Sequence, residues 1–216
     1  MTLRVLYGGT FDPVHDGHLA IARAARDTLG TCIDLMPVAD PPHRDPPGAD
    51  AQQRAAMLEL AIAGEAGLRI DRRELERGGR SWSIDTVQAL RAEVGPQAPL
   101  ALLVGADSFI GLPGWKDWRA LLDLTHFVVA ERLGSALDQA LPAVLAEAIG
   151  ARWTQTAQDL RETPGGRVLR LRQPLQRHSA SEIRQRLADG RPWRHLLPAA
   201  VADYIEQQGL YRMTAG

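Results

Sequence analysis

The chain has 216 residues, 45% of them hydrophobic and 24% charged, enough for one well-buried core and read as one domain over residues 1–216. A formal net charge of -1 provides no global positive field, which excludes nucleic acid or anionic lipid as a partner drawn by charge alone; any anion must be captured locally. No basic segment leads into an apolar run at the start, no apolar stretch reaches about 18 residues, and Cys32 is the single cysteine, so the expectation is a cytoplasmic protein, without membrane spans or disulfides, in which Cys32 is a small buried apolar residue.

In chain order, the apolar residues 3–7 read as a buried strand and residues 19–29 as a helix with Leu19, Ile21, Ala22, Ala25 and Leu29 available to one side. Residues 32–38 are the next strand, 39–49 a Pro-rich loop, 51–63 a helix, 68–71 a short strand, and the charged stretch through Arg80 a loop. A helix over 83–93 and strong apolar strands at 100–104 and 126–130 follow. Residues 135–166 read as a less regular surface excursion with one helix near 137–148, before a strand at 168–171. Strands alternating with helices imply an α/β fold: a Rossmann-like open, mostly parallel sheet with helices on both faces.

In such a sheet ligands bind at the carboxyl ends of strands, beside helix N-termini. Residues 8–18, GGTFDPVHDGH, occupy that place after the first strand. Glycine lets backbone approach a phosphate closely, and the N–H groups of a first helical turn attract anions, which makes the amides of Gly8, Gly9 and Thr10 candidate phosphate ligands. His15 and His18, three residues apart, project from one side of the turn, and neither is expected to be needed for packing. The P-loop pattern G-x-x-x-x-G-K-[ST] is absent, and no G-x-G-x-x-G opens a helix. With Lys116 the only lysine, phosphate handling falls to arginine, histidine and backbone amides.

Residues 8–18 match G-G-T-F-D-P-x-H-x-G-H, the motif of the HIGH-type nucleotidyltransferases, at every fixed position. Further elements narrow the resemblance: Pro41-Pro42-His43-Arg44, Ser81-Trp82-Ser83-Ile84-Asp85-Thr86, Gly105-Ala106-Asp107, Trp115, and Ser179-Ala180-Ser181-Glu182-Ile183-Arg184. Together the chain resembles the bacterial nicotinate-nucleotide adenylyltransferases over almost its whole length. The resemblance implies transfer of the adenylyl group of ATP to nicotinic acid mononucleotide, giving deamido-NAD and pyrophosphate. It implies His15, His18 and Arg184 as catalytic residues, and Gly8, Gly9, Thr10, Phe11, Arg44, Asp107, Ser179 and Ser181 around ATP. His43, Trp82, Ser83 and Trp115 would hold the mononucleotide. No protein-built metal site is expected; Mg²⁺ would arrive with ATP.

The residues themselves support several of these roles. Trp115 offers a face for a flat ring, and the N–H groups at the helix start around Trp82 and Ser83 favour a carboxylate over an amide. Asp107, after a strand, is placed to accept hydrogen bonds from a ribose. Ser179 with Glu182 fits a capping box, and Arg184 adds a fork-shaped cation one turn in. Departures from the family pattern are His178 for isoleucine, Ser181 for threonine, Arg44 for the frequent lysine, and Trp82-Ser83 for the common Tyr-Thr. A pantetheine-phosphate adenylyltransferase, a cytidylyltransferase and a non-catalytic nucleotide-binding module remain alternatives at this point, as do monomer and homodimer.

Overall fold

The structure, a computed structural model, describes residues 2–40, 48–131, 137–173 and 179–211. The strands are β1 (Arg4–Gly9), β2 (Ile33–Pro37), β3 (Leu68–Ile70), β4 (Leu100–Gly105), β5 (His126–Ala130), β6 (Trp153–Thr154) and β7 (Val168–Leu171). They form one sheet in the order β3-β2-β1-β4-β5-β7-β6, and every pairing is parallel. The helices are α1 (Asp16–Leu29), α2 (Ala51–Ile62), α3 (Arg73–Arg77), α4 (Ser83–Val94), α5 (Ala106–Ile110), α6 (Trp118–Leu124), α7 (Leu137–Ala140), α8 (Ala143–Ile149), α9 (Asp159–Glu162), α10 (Ala180–Ala188) and α11 (Ala199–Gln208).

Strands β2 and β5 are buried along their whole length, the signature of a parallel sheet covered on both faces. One apolar cluster joins Leu19 of α1, Met57 of α2, Ile183 of α10 and Ile205 of α11 to one face. The other joins Ile84 of α4, Phe109 of α5, Leu121 of α6 and Leu145 of α8 to the opposite face. The strand order reverses direction between β1 and β4, so the loops leaving those two strands part and leave a crevice at their carboxyl ends.

Several expectations are corrected. The charged stretch before Arg80 contains α3, and helices α5 and α6 lie between β4 and β5. The helix expected over 137–148 is two helices, because Pro142 has no N–H to continue the first and disfavours helical backbone at Leu141. The excursion is also built into the body: Leu145 and Ile149 are fully buried, and β6 forms the sheet's outer edge beside β7. Cys32 is exposed, because it precedes the first residue of β2 rather than sitting in the strand.

Arg54 of α2 is the largest fully buried side chain, 1% exposed. Its guanidinium donates to the carbonyls of Ala49, Thr10, Val38 and Ala39 at 3.2, 2.8, 2.8 and 3.1 Å. It thereby straps the chain leaving β1 to the chain leaving β2. Burial pushes the guanidinium below its ordinary pKa, with Asp12 acting in the opposite direction. Arg54→Met keeps the aliphatic bulk but leaves those carbonyls without a donor; it should cost about 3 kcal/mol, lowering Tm by roughly 6–12 °C in a thermal melt.

Candidate active site

Helix α1 begins where His15 supplies its cap. The Nδ1 of His15 accepts from the Gly17 N–H at 3.1 Å, and the Nδ1 of His18 accepts from the His15 N–H at 3.3 Å, two amides satisfied reciprocally. The expectation that neither histidine is needed locally is therefore corrected: both close the first turn, and His15 is only 5% exposed. Their rings lie 3.8 Å apart, centroid to centroid, on the same side of the turn, as the spacing predicts. Because each Nδ1 is an acceptor, a neutral ring at either position carries its proton on Nε2.

Phe11 packs its side chain beneath the motif. Its ring is 1% exposed, edge-on to Tyr7 at 5.5 Å and to His18 at 5.0 Å, and so supports the motif from beneath. Gly9 is needed there, since a Cβ would come within 2.9 Å of the Phe11 ring. Phe11 itself adopts a left-handed φ of 50°, a conformation a bulky residue holds only when its surroundings fix it.

Asp12 gathers distant parts of the chain around the motif. Its carboxylate accepts from the Gly48 and Ala49 N–H groups at 2.8 and 3.1 Å and from the Tyr211 hydroxyl at 2.7 Å. Arg184 of α10 donates to the Asp12 carbonyl at 2.6 Å, lies 3.5 Å from its carboxylate, and donates to the Ser181 hydroxyl at 3.3 Å. Burial, reinforced by Asp12, raises the Tyr211 phenol far above its ordinary range. Ser179 caps α10, its Oγ accepting from the Glu182 N–H at 3.2 Å. The Glu182 carboxylate pairs forward with Arg186 at 2.8 Å, so the reciprocal half of the expected box is replaced by a helical ion pair.

A cavity of about 170 Å³ opens at the carboxyl ends of β1 and β4. Gly8, Gly9, Thr10, Trp82, Ser83 and Trp115 line it, uniting most of the glycine turn with the expected mononucleotide residues. An enclosed cavity of roughly 150 Å³ holds one benzene-sized ring, so this one has room for a flat ring. Trp82 is the N-cap residue of α4, which begins at Ser83, and the first amides of that helix have no intrahelical acceptor. Asp107 stands exposed in the first turn of α5, two residues beyond Gly105 on the cavity wall. His15, His18, Ser179, Ser181 and Arg184 do not line the cavity. His43 and Arg44, with Pro41, Pro42 and His178, lie outside the described residues.

Four contributors carry no expected role at the site from the sequence, although Tyr211 belongs to the closing Gly209-Leu210-Tyr211-Arg212 that shares in the family resemblance. Lys116 lines the cavity, paired with Asp85 at 3.1 Å and 5.9 Å from the Trp82 ring centre. Glu74 of α3 lines it too, 2% exposed, accepting from the Thr86 hydroxyl at 2.6 Å. Arg54 and Tyr211 hold the surrounding loops. An acidic residue in a charged stretch or an arginine on a helix carries no local signal of burial; only the packing reveals it.

The cap at His15 is open to a direct test. Asparagine is a good N-cap, so His15→Asn should melt with the parent protein, whereas His15→Ala should lose about 1 kcal/mol, or roughly 2–4 °C in Tm. Equal melting of both variants with the parent would remove the capping role.

The cytidylyltransferase-like family model matches residues 6–186. A probable nicotinate-nucleotide adenylyltransferase of Stenotrophomonas maltophilia is 55% identical over 217 residues, covering 98% of each chain. One from Xylella fastidiosa is 46% identical over 97% of this chain and 96% of its own. Among solved structures, Plasmodium falciparum nicotinic acid mononucleotide adenylyltransferase complexed with NaAD superposes with a TM-score of 0.72 over 98% of both chains, at 16% identity, which speaks to the fold alone. No helix among the described residues is long and apolar enough to cross a membrane. By its motif from Gly8 to His18 in place at the end of β1, and by relatives alike along nearly the whole chain, the protein belongs to the cytidylyltransferase-like family, within its nicotinate-nucleotide adenylyltransferase branch.

Proposed function

We propose that this chain transfers the adenylyl group of ATP to nicotinic acid mononucleotide, forming deamido-NAD and pyrophosphate. The observation that carries the proposal is the division of the crevice: a ring-sized cavity between Trp82 and Trp115 on one side, and paired histidine donors with Arg184 around the motif on the other.

The mononucleotide phosphate is already an anion at neutral pH, so the reaction needs no general base; it needs alignment and charge neutralisation as the phosphate attacks the α-phosphorus in line. The Nε2–H donors of His15 and His18 are aimed by their capping bonds and meet charge growing on the α-phosphate. The Gly8, Gly9 and Thr10 amides, held by the Arg54 strap, assist. Arg184, Ser179 and Ser181 at the start of α10 receive the β- and γ-phosphates, with Arg44 as a further cation. Asp107 accepts from a ribose. Mg²⁺ would enter bound to ATP, where it would supply charge neutralisation on the phosphate oxygens. The ring of the mononucleotide lies against Trp115, its carboxylate toward the first amides of α4 at Ser83. The comparison with a Plasmodium falciparum enzyme complexed with NaAD, and with a second structure of it complexed with APC, fits substrates of this kind.

A substrate panel decides the reading. With MgATP, nicotinic acid mononucleotide should react at least tenfold more efficiently than nicotinamide mononucleotide, about 1.4 kcal/mol in the transition state, and phosphopantetheine should be inert. Equal use of acid and amide would remove the carboxylate assignment. Turnover of phosphopantetheine would move the chain to another branch, and no pyrophosphate release with any of the three would leave a binding module.

The histidines are tested separately. Since His18 meets charge that grows in the transition state, His18→Ala should lower kcat by about 10² or more with a smaller change in the KM for ATP. Thermal melts of the variant separate this loss from a loss of fold.

A further inference from the structure

Among the described residues lining the cavity, two carry charge, Glu74 and Lys116, of opposite sign. Lys116 is half-exposed and held by Asp85 at 3.1 Å. Glu74 is 2% exposed, and its two oxygens differ. Oε1 accepts from the Thr86 hydroxyl at 2.6 Å and lies 3.8 Å from the Arg77 guanidinium, whereas Oε2, buried as well, has no hydrogen-bond partner among the described residues. The carboxylate has Arg77 as a cation on its Oε1 side, but a buried carboxylate oxygen without a hydrogen-bond donor is costly, and natural structures retain few such groups. This one is on the wall of a ligand cavity.

The mononucleotide ring of the proposed substrate is a zwitterion, with a fixed positive charge on the quaternary ring nitrogen and a negative charge on the ring carboxylate. The cavity wall has the matching arrangement. Lys116 and the first amides of α4 face the need of an anion, and Glu74 that of a cation. The aromatic faces of Trp82 and Trp115 also favour a cationic ring over a neutral one.

We infer that Glu74 is a specificity-determining residue whose buried carboxylate offsets the positive charge of the pyridinium ring, so that the cavity selects a charged pyridinium nucleotide over a neutral ring of the same shape. This rests on the proposed reaction and adds a second axis of selection to it: the acid is chosen over the amide at the start of α4, and the cationic ring over a neutral one at Glu74. Glu74 is itself 2% exposed, and opposite charges interact more strongly where water is kept away from one of them.

The test compares nicotinic acid mononucleotide with its carbon isostere, the 5′-phosphate of a 3-carboxyphenyl C-riboside, which keeps shape, carboxylate and phosphate but has no ring charge. The full-length protein should prefer the pyridinium compound at least tenfold in kcat/KM with MgATP. Glu74→Gln keeps the side chain's size and an oxygen for Thr86, and should bring the two compounds within about twofold, by loss on the pyridinium compound, with the KM for ATP unchanged. Glu74→Asp retains the charge and should preserve part of the preference. An unchanged preference in Glu74→Gln overturns the inference while leaving the reaction standing. So does equal use of the two compounds by the parent protein, a measurement that needs no variant to fold. A parent protein inert toward nicotinic acid mononucleotide fails the proposed reaction, and the inference with it.

Discussion

The carboxylate of Asp12 is 5% exposed and has to be satisfied by donors that its own loop does not supply. They come from the chain just ahead of α2, from Tyr211 beyond α11, and from Arg184 on α10, up to 199 residues away in sequence. The motif loop, the entry to the second helix, helix α10 and the C-terminal segment are thus fastened to one point. Arg54, buried nearby, does the same for the backbone with its four carbonyl acceptors. Two buried charges of opposite sign, each hydrogen-bonded by several chain segments, hold the loops that the parallel sheet only roughly assembles. Removing either partner would leave the other charge buried with less compensation, which is the expensive way to break such an arrangement.

This fastening matters because the proposed chemistry has little covalent content for the protein to perform. Two anions must be brought together and held in line, and donors fixed before the reaction are worth more than donors that must reorganise during it. The capping bonds of His15 and His18 illustrate the economy: one amide contact each starts a helix, selects a tautomer and aims an N–H. Phe11 and Gly9 support the same turn from below through close packing, so that the loop's shape is set by the core and the loop's donors by the caps.

The crevice combines two environments. Around the motif it is polar and built from donors; beside Trp82 and Trp115 it is a mostly apolar cavity with a charge of each sign among the described residues of its wall. A triphosphate suits the first, where charge is met by many partners, and a flat zwitterionic ring the second, where stacking and a few placed charges decide selectivity.

Much of the fold was legible in the chain because its signals are local. The apolar runs of β1, β4 and β5, the amphipathic spacing of α1, and the glycine turn between them each reside within a dozen residues, and their alternation dictates a parallel sheet with ligands at its carboxyl edge. The motif from Gly8 to His18 likewise marks its site without reference to anything distant. Tertiary structure decided what depends on contacts across the chain. It packed the Phe11 ring into the core, made the excursion before β7 carry an edge strand, and buried Glu74 and Arg54, whose types ordinarily face solvent. Periodicity reports which face of an element is apolar; it is silent on which distant polar group will meet which. The pairing of Asp12 with Tyr211 and Arg184, and the placing of Glu74 on the cavity wall, exist only once the sheet has brought those segments together, because a buried charge is stable only beside partners that the folded chain supplies.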